Sequence, residues 1–361
     1  MKLAYLALAS TGVLAVGAEP LSTDYTAKRT VTTNHSITIE WEVSDAGMTI
    51  DGEEPDFGGG RGGLDAEMSG ESTRSVVSTD QVKAHADGQP TQVLRSFGDI
   101  SVSGNMTMGD NEMEIDNKSP LSGVKLALAL EDGEVTAKVE EGEEPPEAAL
   151  AGHALTFGID QLLPTEAVED GAEYELGSSQ IVAALGFDLE GTLFARPARG
   201  EGGERPERGE GGGGGRRGGR GMRGGGGGIN MNQLAALDWD ATATYVGEQE
   251  IDGRTVVVIE LALEAEGTLP ESQRGGRRRG GDRATGISTN RNLLLETEAT
   301  VELKGQLTWD PKAKRPINLE LEGEFTVDMQ NSRDTERGLF ESWRTTEGEI
   351  KININYTEEA L

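Results

Sequence analysis

Residues 293–310 read LLLETEATVELKGQLTWD, and residues 315–329 read RPINLELEGEFTVDM. In the first stretch the odd positions Leu293, Leu295, Val301, Leu303, Leu307 and Trp309 are apolar, while Glu296, Glu298, Glu302 and Lys304 fill the even ones. The odd series resumes after Asp310–Pro316 with Ile317, Leu319, Leu321, Phe325, Val327 and Met329. Period-two alternation held this long predicts two extended strands, each with one apolar and one charged face. Strands of this length must twist, and Gly305 and Gly323 are the expected bending points.

The same pattern spreads outward along the chain. Ile37, Ile39, Trp41 and Val43 alternate with polar residues, as do Ile100, Val102, Met106 and Met108 around Gly104. Val124–Leu130 and Val135–Val139 flank Asp132-Gly133, which suits a tight hairpin turn. Trp239–Tyr245, Val256–Leu263 and Ile350–Tyr356 add further strands. Helical signals are few. Ser178–Leu185 reads as two turns capped by Ser178 or Ser179 and stopped by Gly186, and Met231–Leu237 reads as a second short helix. The fold class expected is mainly β: a long curved antiparallel sheet, half-barrel, clam-like or sandwich, with a few short helices.

Residues 1–18 have the features of an export signal: Lys2, an apolar run from Leu3 to Val16, and the small residues Gly17 and Ala18 before Glu19-Pro20. Cleavage near Ala18 would place the mature chain in the periplasm or outside the cell. No later stretch approaches eighteen consecutive apolar residues, so no transmembrane segment is expected in the mature chain. The chain has no cysteine, which excludes disulfides and thiol chemistry. Aromatic residues make up 4% of the chain, so the core must rest on Leu, Val, Ile and Ala.

The net charge is −31, which argues against nucleic acid as the main partner and suits a well-solvated surface in a salty or cation-rich medium. Two tracts have the opposite sign. Residues 196–228 hold eight Arg, four Glu and 17 Gly, and Arg274–Arg283 holds five Arg and one Asp, which leaves −39 on the rest. A shorter echo is Phe57-Gly58-Gly59-Gly60-Arg61-Gly62-Gly63. Such segments bury too little apolar surface to offset ordering entropy and are expected to be disordered loops, the second over 270–286. The first tract divides the mature chain into β-rich halves, 19–195 and 229–361. Two packed units or one continuous sheet would satisfy this division, and a single curved sheet buries more.

The catalytic inventory is short. His35, His85 and His153 are isolated, and each reads as an exposed or satisfied residue rather than a ligand. No G-x-S-x-G, phosphate loop or dinucleotide fingerprint occurs. Asp238-Trp239-Asp240 places two carboxylates on one strand face, as alternation alone would. Asp110–Asn117 gathers oxygen ligands without the EF-hand spacing. No catalytic residue, cofactor or metal site is assigned.

Three stretches carry a resemblance: Leu162-Leu163-Pro164 with Gly171-Ala172-Glu173-Tyr174, Tyr245-Val246-Gly247 with Ile251-Asp252-Gly253 and Val256–Ile259, and Gly323–Val327. In these the chain resembles uncharacterised exported β-rich proteins of aquatic bacteria. Its long bent hairpins are similar in outline to the periplasmic half-barrel carriers of lipids and lipoproteins. That outline does not carry function with it; the leading reading of the residues themselves is a non-enzymatic exported protein of the cell envelope that binds an apolar ligand in the concavity of its sheet or another envelope component. The candidate concave face is Leu303, Leu307, Trp309, Leu319, Leu321, Phe325 and Val327. Two other readings stand beside it: a structural protein that contacts anionic partners through its Arg/Gly loops, and a carboxylate-dependent hydrolase.

Overall fold

A computed structural model describes residues 21, 23, 29–53, 67–156, 158–195, 229–251, 253–269, 293–335 and 338–360. The expected export signal, the Phe57–Gly63 echo and both Arg/Gly tracts lie outside the described residues. Twelve strands follow in chain order: β1 (Arg29–Ile50), β2 (Met68–Ala86), β3 (Gln89–Met108), β4 (Asn111–Lys118), β5 (Lys125–Glu131), β6 (Glu134–Glu141), β7 (Ala172–Gly177), β8 (Asp238–Ile251), β9 (Arg254–Thr268), β10 (Leu293–Asp310), β11 (Arg315–Thr335) and β12 (Gly338–Ala360). The helices are α1 (Ser178–Leu185), α2 (Glu190–Leu193) and α3 (Met231–Leu234), with 3-10 turns at Glu147–Ala149, Ile159–Leu162 and Phe187–Leu189.

All twelve strands join one antiparallel sheet, in the order β6-β5-β3-β2-β1-β12-β11-β10-β9-β8-β7, with β4 pairing the far half of β3. Its path is a meander whose first and last strands pair, β1 against β12. Up-and-down barrels close by that pairing. Here the sheet stays open between β6 and β7, and the chain that joins these two edges supplies the helices. Both halves of the sequence contribute strands, so the single curved sheet is the arrangement adopted.

The register keeps the alternation intact from strand to strand. Val301 faces Phe325, Phe325 faces Gly348, Gly348 faces Trp41, Trp41 faces Gly70, and Gly70 faces Met106. One inward row therefore crosses six strands. Leu303 and Phe325 lie on the same side and are both buried. The sheet coils tightly toward this side. A Cβ on Gly305 would lie 1.9 Å from the Glu320 carbonyl oxygen, and one on Gly323 would lie 1.8 Å from that of Glu302. No L side chain fits against a neighbouring backbone that close, which accounts for glycine at both expected bending points. Two aromatic rings cover other inward glycines, Phe325 over Gly348 and Trp41 over Gly70, a device that restores packing where the strand has no side chain.

The hairpin at Asp132-Gly133 forms as expected, with both residues at positive φ. Helix α1 spans Ser178–Leu185 and ends at Gly186, which adopts the left-handed conformation. Its N-cap is Gly177, however, not a serine. The Gln180 side chain accepts the Gly177 N–H, while Ser178 turns to β8 and accepts the Trp239 N–H. The second helix is shorter than expected, four residues capped by Asn230, whose side chain accepts the Gln233 N–H.

Candidate functional site

The seven residues of the candidate concave face lie on β10 and β11. Leu303, Leu307, Trp309 and Leu319 are fully buried, and Leu321, Phe325 and Val327 nearly so. They share one apolar cluster with Ile181, Leu185 and Phe187 of the helical segment. That segment lies inside the curl and is held from both flanks. On one flank, Phe187 packs on Trp239 of β8 with ring centroids 5.5 Å apart, and Trp239 Nε1 donates to the Leu234 carbonyl at 2.8 Å. On the other, Arg74 of β2 donates to the Gly186 carbonyl at 3.3 and 3.4 Å.

Arg74 is an inward charge on an otherwise apolar row, opposite Ile37. Its guanidinium lies 3.6 Å from Glu190 of α2. Burial pulls the Arg74 pKa down, and the nearby Glu190 and Asp188 carboxylates oppose that shift. Burial likewise raises Glu190 and Asp188 above the usual carboxylate range. His35 of β1 is buried beside them. Burial, then the neighbouring Arg74 cation, hold its pKa well below the ordinary value, so the ring is neutral. Its Nε2 has no hydrogen-bond partner. His35 is thus neither exposed nor satisfied, unlike exposed His85 and unlike His153, whose Nε2 sits 2.9 Å from the Ala149 carbonyl oxygen.

A second apolar cluster fills the β3–β5–β6 end of the sheet. Beside it, buried Arg95 makes a two-pronged contact with Asp80: Nε and one terminal nitrogen each donate at 2.7 Å. Nothing in the residue order marks Arg74 as an inward residue, whereas Arg95 falls in step with Val93 and Phe97. β2 reads Ser72, Thr73, Arg74, Ser75, with no apolar alternation to fix its register.

Beyond the row of Trp41 and Phe325 the inward face is only half covered. On β2, β3 and β4, Met68 pairs with Met108, and Met106 pairs with Met113. On the longer strands, Met48 faces Ser342, Ile50 faces Phe340, and Met329 faces Arg344. Met48, Ile50, Met68, Met108, Met113, Met329 and Phe340 are all of intermediate exposure. Five of the nine methionines in the chain therefore gather on one lip of the sheet, with buried Met106 at its border. Met106 and Met108 fall on the alternation of a strand, but only the register of distant strands collects the rest.

The outward face is acidic to an unusual degree. Glu71, Glu40, Glu349, Glu324, Glu302, Glu264 and Asp240 oppose one another directly across seven neighbouring strands, and all are exposed. Like charges placed opposite one another destabilise a sheet. Lys351 relieves part of the row, 3.1 Å from Glu349 and 3.9 Å from Glu40. A hollow of about 680 Å³ lies at the Trp41–Phe325 row, lined by Glu40, Glu42, Glu71, Glu324, Glu347 and Glu349 together with Trp41 and Phe325. Its lining is chiefly polar, so it is no counterpart of an apolar ligand cavity. Asp238 and Asp240 are likewise exposed on the outward face of β8.

A scan against protein-family models finds no match, and a search of curated proteins finds none. Among solved structures the chain is similar to the outer membrane protein OprG from Pseudomonas aeruginosa, at 7% identity over 93% of this chain and 97% of that chain, with a TM-score of 0.20. A likeness that slight transfers nothing. The charge row makes an independent point, because a barrel in a bilayer faces lipid with an apolar outer band. Seven carboxylates across the outward face suit water instead.

Proposed function

We propose that the chain acts without catalysis, as an exported binding protein of the cell envelope. It takes an apolar ligand, or an apolar segment of an envelope component, on the methionine-rich lip. One observation carries this reading: the inward face of a single sheet is packed under helices on one side of the Trp41–Phe325 row and half-exposed on the other. Water-facing strands do not ordinarily leave a contiguous apolar surface of this kind, and where one occurs it marks a contact site. Methionine suits such a contact, because its unbranched, polarisable side chain fits ligands of varied shape. Of the residues expected to line a concavity, Phe325 and Val327 border the lip, while Leu303, Leu307, Trp309, Leu319 and Leu321 serve the core.

The test is binding of an environment-sensitive apolar dye to the purified chain. Met48→Glu together with Met329→Glu should weaken binding at least tenfold and leave the melting temperature nearly unchanged. Leu303→Ala should cost about 2–5 kcal/mol of stability and leave dye affinity unchanged. Equal loss of affinity in both variants, or none in the lip variant, would remove the lip from the account.

A further inference from the structure

Arg344 stands at the centre of the lip. It lies on β12 between Met329 of β11 and Ala46 of β1. Beyond the Trp41–Phe325 row, the inward register positions of β1, β11 and β12 hold two charged residues, Arg344 and Arg333, and neither is a carboxylate. That is a conspicuous bias in a chain with 64 Asp and Glu. The carboxylates of these strand segments, Asp45, Asp328 and Glu341, occupy the outward positions. Arg344 is half-buried, burial pulls its pKa below the ordinary value, and no carboxylate among the described residues pairs with it. A half-buried guanidinium without a counter-ion has lost hydration and gained nothing in exchange.

Polar groups adjoin it. One step along the strands, Asn331 faces Ser342, and the Asn331 Oδ1 is buried without a hydrogen-bond partner. Turning that amide over presents its N–H groups at the same point. The lip therefore offers a guanidinium, a hydroxyl and an amide within an apolar surround of Met48, Met329 and Phe340. Such a pattern, apolar walls with a few convergent polar groups, is how binding sites fix the orientation of a ligand.

Resting on the reading of the lip as an apolar binding surface, we infer that its ligand is a long-chain carboxylate, with the head on Arg344 and the alkyl chain across the methionines. Charge complementarity selects this occupant. A guanidinium and a carboxylate form paired charge-assisted hydrogen bonds. The alkyl chain finds flexible thioether side chains, and a cationic amphiphile meets an unpaired positive charge at the head position. The acidic outward face repels anions, so the inward cations favour an anionic head at the lip.

Calorimetry with ligands of one chain length separates this inference from the reading beneath it. Laurate should bind the purified chain at least tenfold more tightly than dodecanol, with dodecyltrimethylammonium weakest. Arg344→Gln should erase the preference for laurate and leave dodecanol binding unchanged. Arg344→Lys, which keeps the charge, should retain most of the preference. If dodecanol binds as tightly as laurate, or if Arg344→Gln keeps the laurate preference, the carboxylate assignment is wrong while the apolar lip stands. If neither ligand binds the native chain, both fall.

Discussion

The covered part of the inward face and the lip beside it belong to the same strands and follow the same alternation, yet they treat positive charge differently. Under the helices each inward arginine has a carboxylate: Arg95 grips Asp80 at two points, and Arg74 lies against Glu190. On the lip Arg344 has none among the described residues. A protein interior tolerates charge only when it is matched. The matched arginines belong to a finished core, and the unmatched one belongs to a surface still awaiting a partner. Alternation identifies the apolar side of a strand, and the pairing of inward charges then separates filled from unfilled parts of that side.

The largest expected effect breaks this contrast directly. Arg95→Met strands Asp80 beside an apolar cluster and should cost about 3 kcal/mol, since removing one partner of a buried pair leaves an uncompensated charge. Arg344→Met should change stability by less than about 0.5 kcal/mol, because it removes a charge that had no partner. Urea unfolding of the two variants gives both numbers. Similar losses at the two positions would mean that Arg344 has a structural partner after all.

A smaller effect sharpens the account of the covered part. The native fold holds His35 neutral, while the unfolded chain protonates it below about pH 6.5. The native state therefore binds fewer protons, and its stability falls as pH drops below that value. A histidine that stays neutral to pH 5 costs up to about 2 kcal/mol between pH 7 and pH 5. Glu190 and Asp188, raised by burial, act in the opposite sense, since acid favours their buried neutral forms; their influence falls closer to the usual carboxylate range. Comparing melting curves of the native chain and His35→Gln over pH 5–7 isolates the histidine. The variant should have the flatter profile, and parallel profiles would place the titrating group elsewhere.

Much of this architecture is legible in the residue order. The alternation in 293–329 sets which side of β10 and β11 is buried. Asp132-Gly133 marks a hairpin, and Gly186 marks the end of α1. Local physics decides each of these. What the order hides is non-local. Pairing of β1 with β12 joins segments some three hundred residues apart, and only that pairing brings Met48 beside Arg344 and Met329. The inward direction of Arg74 is equally hidden, because β2 takes its register from neighbouring strands rather than from an apolar pattern of its own. Whether Leu307 or Leu319 meets a ligand or a helix depends on where 178–195 folds back, and the alternation of β10 and β11 holds no trace of it.

The division of the inward face into a packed part and an open lip is the central claim, and the methionines are native probes of it. Brief peroxide oxidation followed by peptide mass spectrometry reads each one separately, because sulfoxide forms fastest on exposed thioethers. Met48, Met68, Met108, Met113 and Met329 should oxidise well before Met106 and Met231, which are buried. Laurate should slow the reaction of Met48 and Met329 most. Uniformly slow oxidation of all seven, or oxidation of Met231 as fast as Met48, would contradict the account.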